Sequence, residues 1–192
     1  YPGFSTDVGP GNTMMDAYMQ KHLGYACDEN GVLAASGTIV QKLLKELMDH
    51  PFFDGGFPKT IGPELFNLDY LEKAIARVGG SYSHADIMAT LNRFSAEGIL
   101  LALQKSVPPN QPWVVYGSGG GVHNPVLMEH LQMAFPSIAF RHTGELGVPA
   151  DAKEAVLFAL LANECVAGES LGKALFKDGM PDISMGKISL PG

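Results

Sequence analysis

The chain is poor in cysteine and in positive charge, and it has no long hydrophobic run. Cys27 and Cys165 are its two cysteines in 192 residues. They have no metal-ligand spacing, and two in a chain of this size do not make a disulfide scaffold. They read as core or surface thiols of a reducing compartment. Lys and Arg number 13 against 20 Asp and Glu, a formal net charge of −7. No basic cluster offsets that charge locally, which argues against an electrostatic nucleic-acid binder. No apolar run approaches the roughly 18 residues that mark a membrane helix, and the N-terminus is not signal-like. Neither a membrane span nor secretion is expected, and the expected location is cytoplasmic. Internal repeats and low-complexity tracts are absent too. What remains reads as a globular chain, with 46% hydrophobic and 17% charged residues. Its length suffices for one domain with a proper core.

The most informative stretch is 112–125, Pro-Trp-Val-Val-Tyr-Gly-Ser-Gly-Gly-Gly-Val-His-Asn-Pro. Trp113 to Tyr116 read as a short buried strand. Gly117, Gly119, Gly120 and Gly121 allow a sharp turn and a close approach of the backbone to a ligand. Asn124 and Pro125 read as a helix N-cap and first helical residue. A strand, a glycine turn and a helix start bring free N–H groups and a positive dipole end together, which suits a nucleotide or phosphate. A tight turn that binds nothing fits the same letters. Neither standard phosphate loop applies. A Walker loop needs Lys then Ser/Thr after its last glycine, where Val122 and His123 stand, and a dinucleotide fingerprint from Gly117 needs glycine at Val122.

The rest of the chain reads as helices with few strands. Ser5 to Val8 suggests a strand end running into the turn Gly9-Pro10-Gly11. Asn12 is expected to cap a helix through about His22, and Ser36 a second one carrying Val40, Leu43, Leu44 and Leu47. Residues 50–66 read as a long loop. Asn67 begins a short helix, and a long one is expected from about His84 to Lys105, with Ile87, Leu91, Phe94, Gly98 and Leu101 as its apolar stripe. Pro108 and Pro109 precede the Trp113 strand. A helix with Leu127, Leu131 and Ala134 follows the glycine turn, then a strand from Ile138 to Arg141. Asp151 and Glu154 have capping-box spacing for a last helix carrying Ala155, Phe158, Ala159, Ala162 and Val166. This is a helix-rich α/β pattern with helices packed on a small sheet.

A second candidate site is Asp7-Val8-Gly9-Pro10-Gly11-Asn12, with Asp16 one helical turn on. A carboxylate before a glycine turn is held rigidly and suits a general base. Asp7 as a mere turn cap, and Asp16 as a solvated helix residue, fit as well.

Four segments occur in order: Asp7 to Ala17, Pro58 to Asn67, Gly119 to Pro125 and Gly147 to Ala155. Together they resemble the anhydro-N-acetylmuramic acid kinase family, which includes the levoglucosan kinases. Met185 to Ser189 resembles the C-terminal stretch of some members. The resemblance implies one ribonuclease-H-like lobe of the actin, hexokinase and Hsp70 type, helix-rich α/β with a small mixed sheet. It implies ATP-dependent, Mg²⁺-assisted cleavage of a 1,6-anhydro bond, with phosphorylation at O6, in peptidoglycan recycling. Asp7 matches the catalytic base that activates water. Gly9, Pro10, Gly11 and Asn12 match a phosphate loop, and Gly119, Gly120, Gly121 and Asn124 the adenosine loop. Glu154 matches a glutamate near the sugar, beside its reading as N3 of a capping box. No residue is assigned to a metal.

Among the departures from the family pattern, Val8 stands for Thr, Pro63 for Arg and Gly144 for Asp. Family members are about twice as long, and their first phosphate loop, Ser-Gly-Thr-Ser-x-Asp-Gly, has no match here. Residues 1–192 therefore read as a single C-terminal lobe, with the N-terminal lobe missing. Tyr1 as first residue, with a motif within seven residues, reads as a fragment or a processed product. The expected partners are ATP or ADP, an anhydro sugar, the missing lobe and a second copy in a homodimer. The lobe alone is expected to be inactive. The alternative is a non-catalytic nucleotide-binding or oligomerisation module derived from such a kinase, or an enzyme acting on levoglucosan.

Overall fold

The computed structural model describes residues 4–107 and 112–167. Pro108, Pro109 and the Met185–Ser189 stretch lie outside them. The described elements are α1 (Thr13–Leu23), α2 (Val32–Ser36), α3 (Gln41–Met48), α4 (Pro51–Asp54), α5 (Leu68–Val78), α6 (His84–Ser106), β1 (Trp113–Gly117), α7 (Pro125–Ala134), β2 (Ile138–His142) and α8 (Lys153–Ala167).

Helix α6 is the axis. Ser83 caps it by accepting the Asp86 N–H at 3.1 Å. Ile87, Met88, Leu91 and Phe94 join a core with α1, α3 and α5, whereas Ala96 and Leu100 join a second cluster with Leu127 and Leu131 of α7. A helix buried on two sides needs more than one apolar stripe. Polar residues also fall inside, among them Thr90, Asn92 and Ser95. Thr90 is satisfied twice: its hydroxyl donates to the Asp86 carbonyl at 2.7 Å and accepts the Val40 N–H at 2.9 Å. That second bond starts α3, whose own N-cap residue, Val40, has no side-chain acceptor. Ser36 does not cap α3 as expected. It closes α2, donating to the Leu33 carbonyl at 2.8 Å.

Asn67 caps α5 through the Tyr70 N–H at 3.0 Å. The expected loop over 50–66 contains α4. His50 accepts the Phe52 N–H at 3.1 Å and Pro51 takes the first helical position; His is outside the usual cap set, so the signal was not read. Phe53, Phe66 and Phe94 pack with ring centroids 5.4–5.6 Å apart. Beside them the Tyr70 hydroxyl donates to the Leu47 carbonyl at 2.6 Å. Burial, with the Glu46 charge second, pushes this hydroxyl from 10.0 up to about 12. An acid with a raised folded pKa stabilises the fold fully below its unfolded value and loses that contribution as pH rises through the folded one. Unmodified chain should therefore lose more stability than Tyr70→Phe between pH 10 and 12. Alkaline melting curves compare them, and parallel curves would contradict this reading.

Strands β1 and β2 pair in parallel, from Trp113 opposite Ile138 to Gly117 opposite His142, with α7 as the crossover. The sheet expected to be mixed is thus parallel among the described residues. Trp113 and Val115 are half-buried, but Val114 and Tyr116 are 44% and 38% exposed. One face of the strand expected to be buried is open. Residues 5–8 do not form the expected strand end. The Asp7 N–H reaches the Lys59 carbonyl at 2.9 Å, but the next rung is the Thr6 hydroxyl, which accepts the Lys59 N–H at 2.9 Å. A side chain in place of a carbonyl ends the ladder.

Helix α8 forms as expected, and its apolar residues face outward. Val156, Leu157, Phe158, Leu160 and Val166 are all exposed, Phe158 at 66%. Among the described elements α8 packs mainly on the short turn Ala150–Ala152 before it. That turn also removes the capping box, because Asp151 lies inside the helical turn rather than ahead of it.

Candidate functional site

The two glycine loops meet. Asn12 precedes α1 with a helical backbone, φ −87° and ψ −11°, and makes no side-chain cap. A capping residue needs extended dihedrals to fold its side chain back. Asn12 instead turns its amide to the other loop. A Cβ added at Gly120 would stand 3.3 Å from Asn12 Nδ2, and one at Gly121 3.6 Å from its Oδ1. Asn124 caps α7 as expected, accepting the Leu127 N–H at 3.1 Å.

These residues border a cavity of about 430 Å³, walled by Asn12 and Asp16 of one loop and helix, Gly120, His123 and Asn124 of the other, and the Cys27–Asn30 segment. Burial raises the Asp16 carboxyl above its ordinary value. The long wall segment is fixed by Asp28, whose carboxylate accepts the N–H groups of Leu33 at 2.8 Å and Ala34 at 2.9 Å.

Asp7 borders a second cavity, of about 230 Å³, with Gly9, Pro10, Thr13 and the Ile61–Pro63 segment. Its Oδ2 accepts the Ile61 N–H at 2.8 Å. One oxygen is thereby held, which sets the direction of the other. The first turn of α1 borders both cavities, with Thr13 on one side and Asn12 and Asp16 on the other. A ligand spanning that turn would meet its free N–H groups and positive dipole end.

Helix α6 holds both loops from behind. The Ser95 hydroxyl donates to the Gly11 carbonyl at 2.6 Å. Gly98, one turn on, faces the Val8 carbonyl so closely that a Cβ there would stand 2.5 Å from its oxygen. Asn92 reaches Asn124 Oδ1 at 3.1 Å. Residues 92, 95 and 98 share one helix face. Sequence reasoning put Gly98 on an apolar stripe and passed over Asn92 and Ser95. Polar letters at three-residue spacing inside an apolar helix are the signal that was there.

Glu154 is exposed in the first turn of α8 and walls neither cavity. The structure does not bring it to Asp7. Asp151, three residues earlier, reaches His123 Nε2 at 3.2 Å and so ties this region to the glycine loop. Gly144 has open space around it.

The family model for anhydro-N-acetylmuramic acid kinase matches residues 2–173. A protein of that name from Pseudoalteromonas atlantica is 48% identical over 191 residues, which is 98% of this chain and 48% of that protein. One from Pseudoalteromonas translucida is 51% identical over 189 residues, 97% of this chain and 47% of its own. One from Neisseria meningitidis serogroup C is 38% identical over 84% of this chain and 43% of its own. The chain spans about half the length of these relatives. The chain belongs to the anhydro-N-acetylmuramic acid kinase family, and its helix-rich fold with a small parallel sheet agrees with an α/β kinase lobe.

Proposed function

We propose that this member of the anhydro-N-acetylmuramic acid kinase family is the C-terminal, nucleotide-binding lobe of a two-lobed cytoplasmic enzyme. With ATP it opens the 1,6-anhydro bond of 1,6-anhydro-N-acetylmuramic acid and phosphorylates O6. The observation that carries the reading is the meeting of the two family loops across one cavity, at Asn12, Gly120 and Asn124. Gly119 to Gly121 and Asn124 take the adenosine part of the nucleotide. Gly9 to Asn12 face its phosphates at the start of α1.

Asp7 accepts the proton of the water whose oxygen bonds to the anomeric carbon. The bond from that carbon to O6 breaks, and O6 takes the γ-phosphoryl group as ADP leaves. No group of three acidic, His or Cys side chains among the described residues could hold a metal alone. Mg²⁺, when bound with the nucleotide, would supply charge neutralisation at the phosphates that Gly9 to Asn12 face. The open face of β1 and the apolar side of α8, uncovered among the described residues, support a further lobe over them. We assign Glu154, at the start of α8, to the sugar side.

Gly120→Val tests the loop. The valine Cβ would press on the Asn12 amide and its methyl groups would narrow the cavity. ADP at about 100 times its dissociation constant should stabilise the unmodified chain by about 2.7 kcal/mol. The variant should melt near the unmodified temperature without ligand and show no ADP-dependent rise. A full rise in the variant would remove the loop from nucleotide binding.

A further inference from the structure

We propose that Asn92 is a positioning residue that holds the Asn124 amide in the orientation the Leu127 N–H selects, so that the cavity presents an N–H donor to the nucleotide. The inference rests on the nucleotide reading of that cavity. Asn92 is fully buried at the centre of α6. Its Nδ2 donates to Asn124 Oδ1 at 3.1 Å, and the same oxygen accepts the Leu127 N–H at 3.1 Å. The Leu127 donor is backbone, so the atom it meets must be the Asn124 oxygen. Asn92 must then present its own NH2, and neither amide can be turned over without setting like groups against each other.

Gly31 completes the seat. A Cβ there would stand 2.6 Å from Asn124 Oδ1. With its oxygen engaged by two donors and packed against Gly31, Asn124 has only its NH2 to offer the cavity it lines. The complementary ligand atom is an acceptor: a ribose oxygen, a purine ring nitrogen or a phosphate oxygen.

Stability does not explain Asn92. Its own Oδ1 is buried with no hydrogen-bond partner among the described residues. Such an orphan is destabilising, and an apolar residue of similar size would avoid it. A buried amide that leaves one end unsatisfied is accounted for by what its other end holds in place.

The test compares ADP affinity by calorimetry, and melting temperature, in the chain and in Asn92→Leu, Asn124→Ala and the double variant. Asn92→Leu should weaken ADP binding about tenfold, the order expected for one misdirected hydrogen bond, while its melting temperature holds or rises. In the Asn124→Ala background the same change should leave affinity within about twofold, since no amide remains to be oriented. Asn92→Ser, whose hydroxyl is too short to reach Asn124, provides the same comparison should the leucine not pack. Its loss of affinity should match. Unmodified chain that binds ADP together with variants that bind it equally well would overturn this inference alone. Equal losses in both backgrounds would also overturn it, by showing a general structural effect. No ADP binding by the unmodified chain would overturn the nucleotide reading, and this inference with it.

Discussion

In the proposed two-lobed enzyme, Asp7→Asn should lower turnover about 10²–10⁴-fold, the range that a positioned general base contributes. Asparagine keeps the size of the side chain, and its amide oxygen can still accept the Ile61 N–H that now meets Oδ2 at 2.8 Å. The loop should stay in place. What is lost is the group that accepts a proton from water at neutral pH. ATP affinity should therefore be unchanged, because the nucleotide cavity does not include Asp7. The split between turnover and binding is the informative result. Steady-state assay of the 6-phosphate, with a nucleotide titration beside it, checks both. Turnover near that of the unmodified enzyme would take Asp7 out of the mechanism.

The second large effect is expected on α6, directly behind the Asp7 loop. Gly98→Val should destabilise the chain and misplace Asp7 together. Any Cβ at residue 98 would stand 2.5 Å from the Val8 carbonyl oxygen, a contact with backbone that a rotamer change cannot relieve. Overpacking of this kind costs about 1–3 kcal/mol. At roughly 2–4 °C per kcal/mol for a chain of this size, the melting temperature should fall by about 2–12 °C. The loop must also move away from α6, straining the Ser95 bond to Gly11, and a displacement of about 1 Å can cost a hundredfold in rate. Gly56→Ala is the control, since a Cβ there meets nothing. Thermal melts and turnover of the two variants should diverge. Equal behaviour would show that α6 does not set the loop.

Local chemistry was legible in the sequence, and long-range chemistry was not. Asn67 and Asn124 cap their helices as their letters suggest, because an Asx side chain serves its own backbone a few residues on. The α6 periodicity gave its boundaries nearly to the residue. Ser36 does not cap α3 because Thr90, fifty residues from Val40, starts the helix in its place. The strand at 5–8 failed because Thr6 substitutes its hydroxyl for a ladder carbonyl. The apolar letters of α8 form a helix as expected, and nothing among the described residues covers them. At the site, both loops were legible as motifs. That they meet at Asn12, and that one face of α6 holds them, depends on contacts between residues about 80 positions apart, such as Ser95 with Gly11.

The central claim is that the loop between β1 and α7 binds a nucleotide. Calorimetric titration of this chain with ADP, with and without Mg²⁺, tests it most directly. One saturable site per chain is expected, with affinity strengthened by Mg²⁺ and unchanged in Asp7→Asn. Absence of saturable heat up to millimolar ADP in both conditions would contradict the claim.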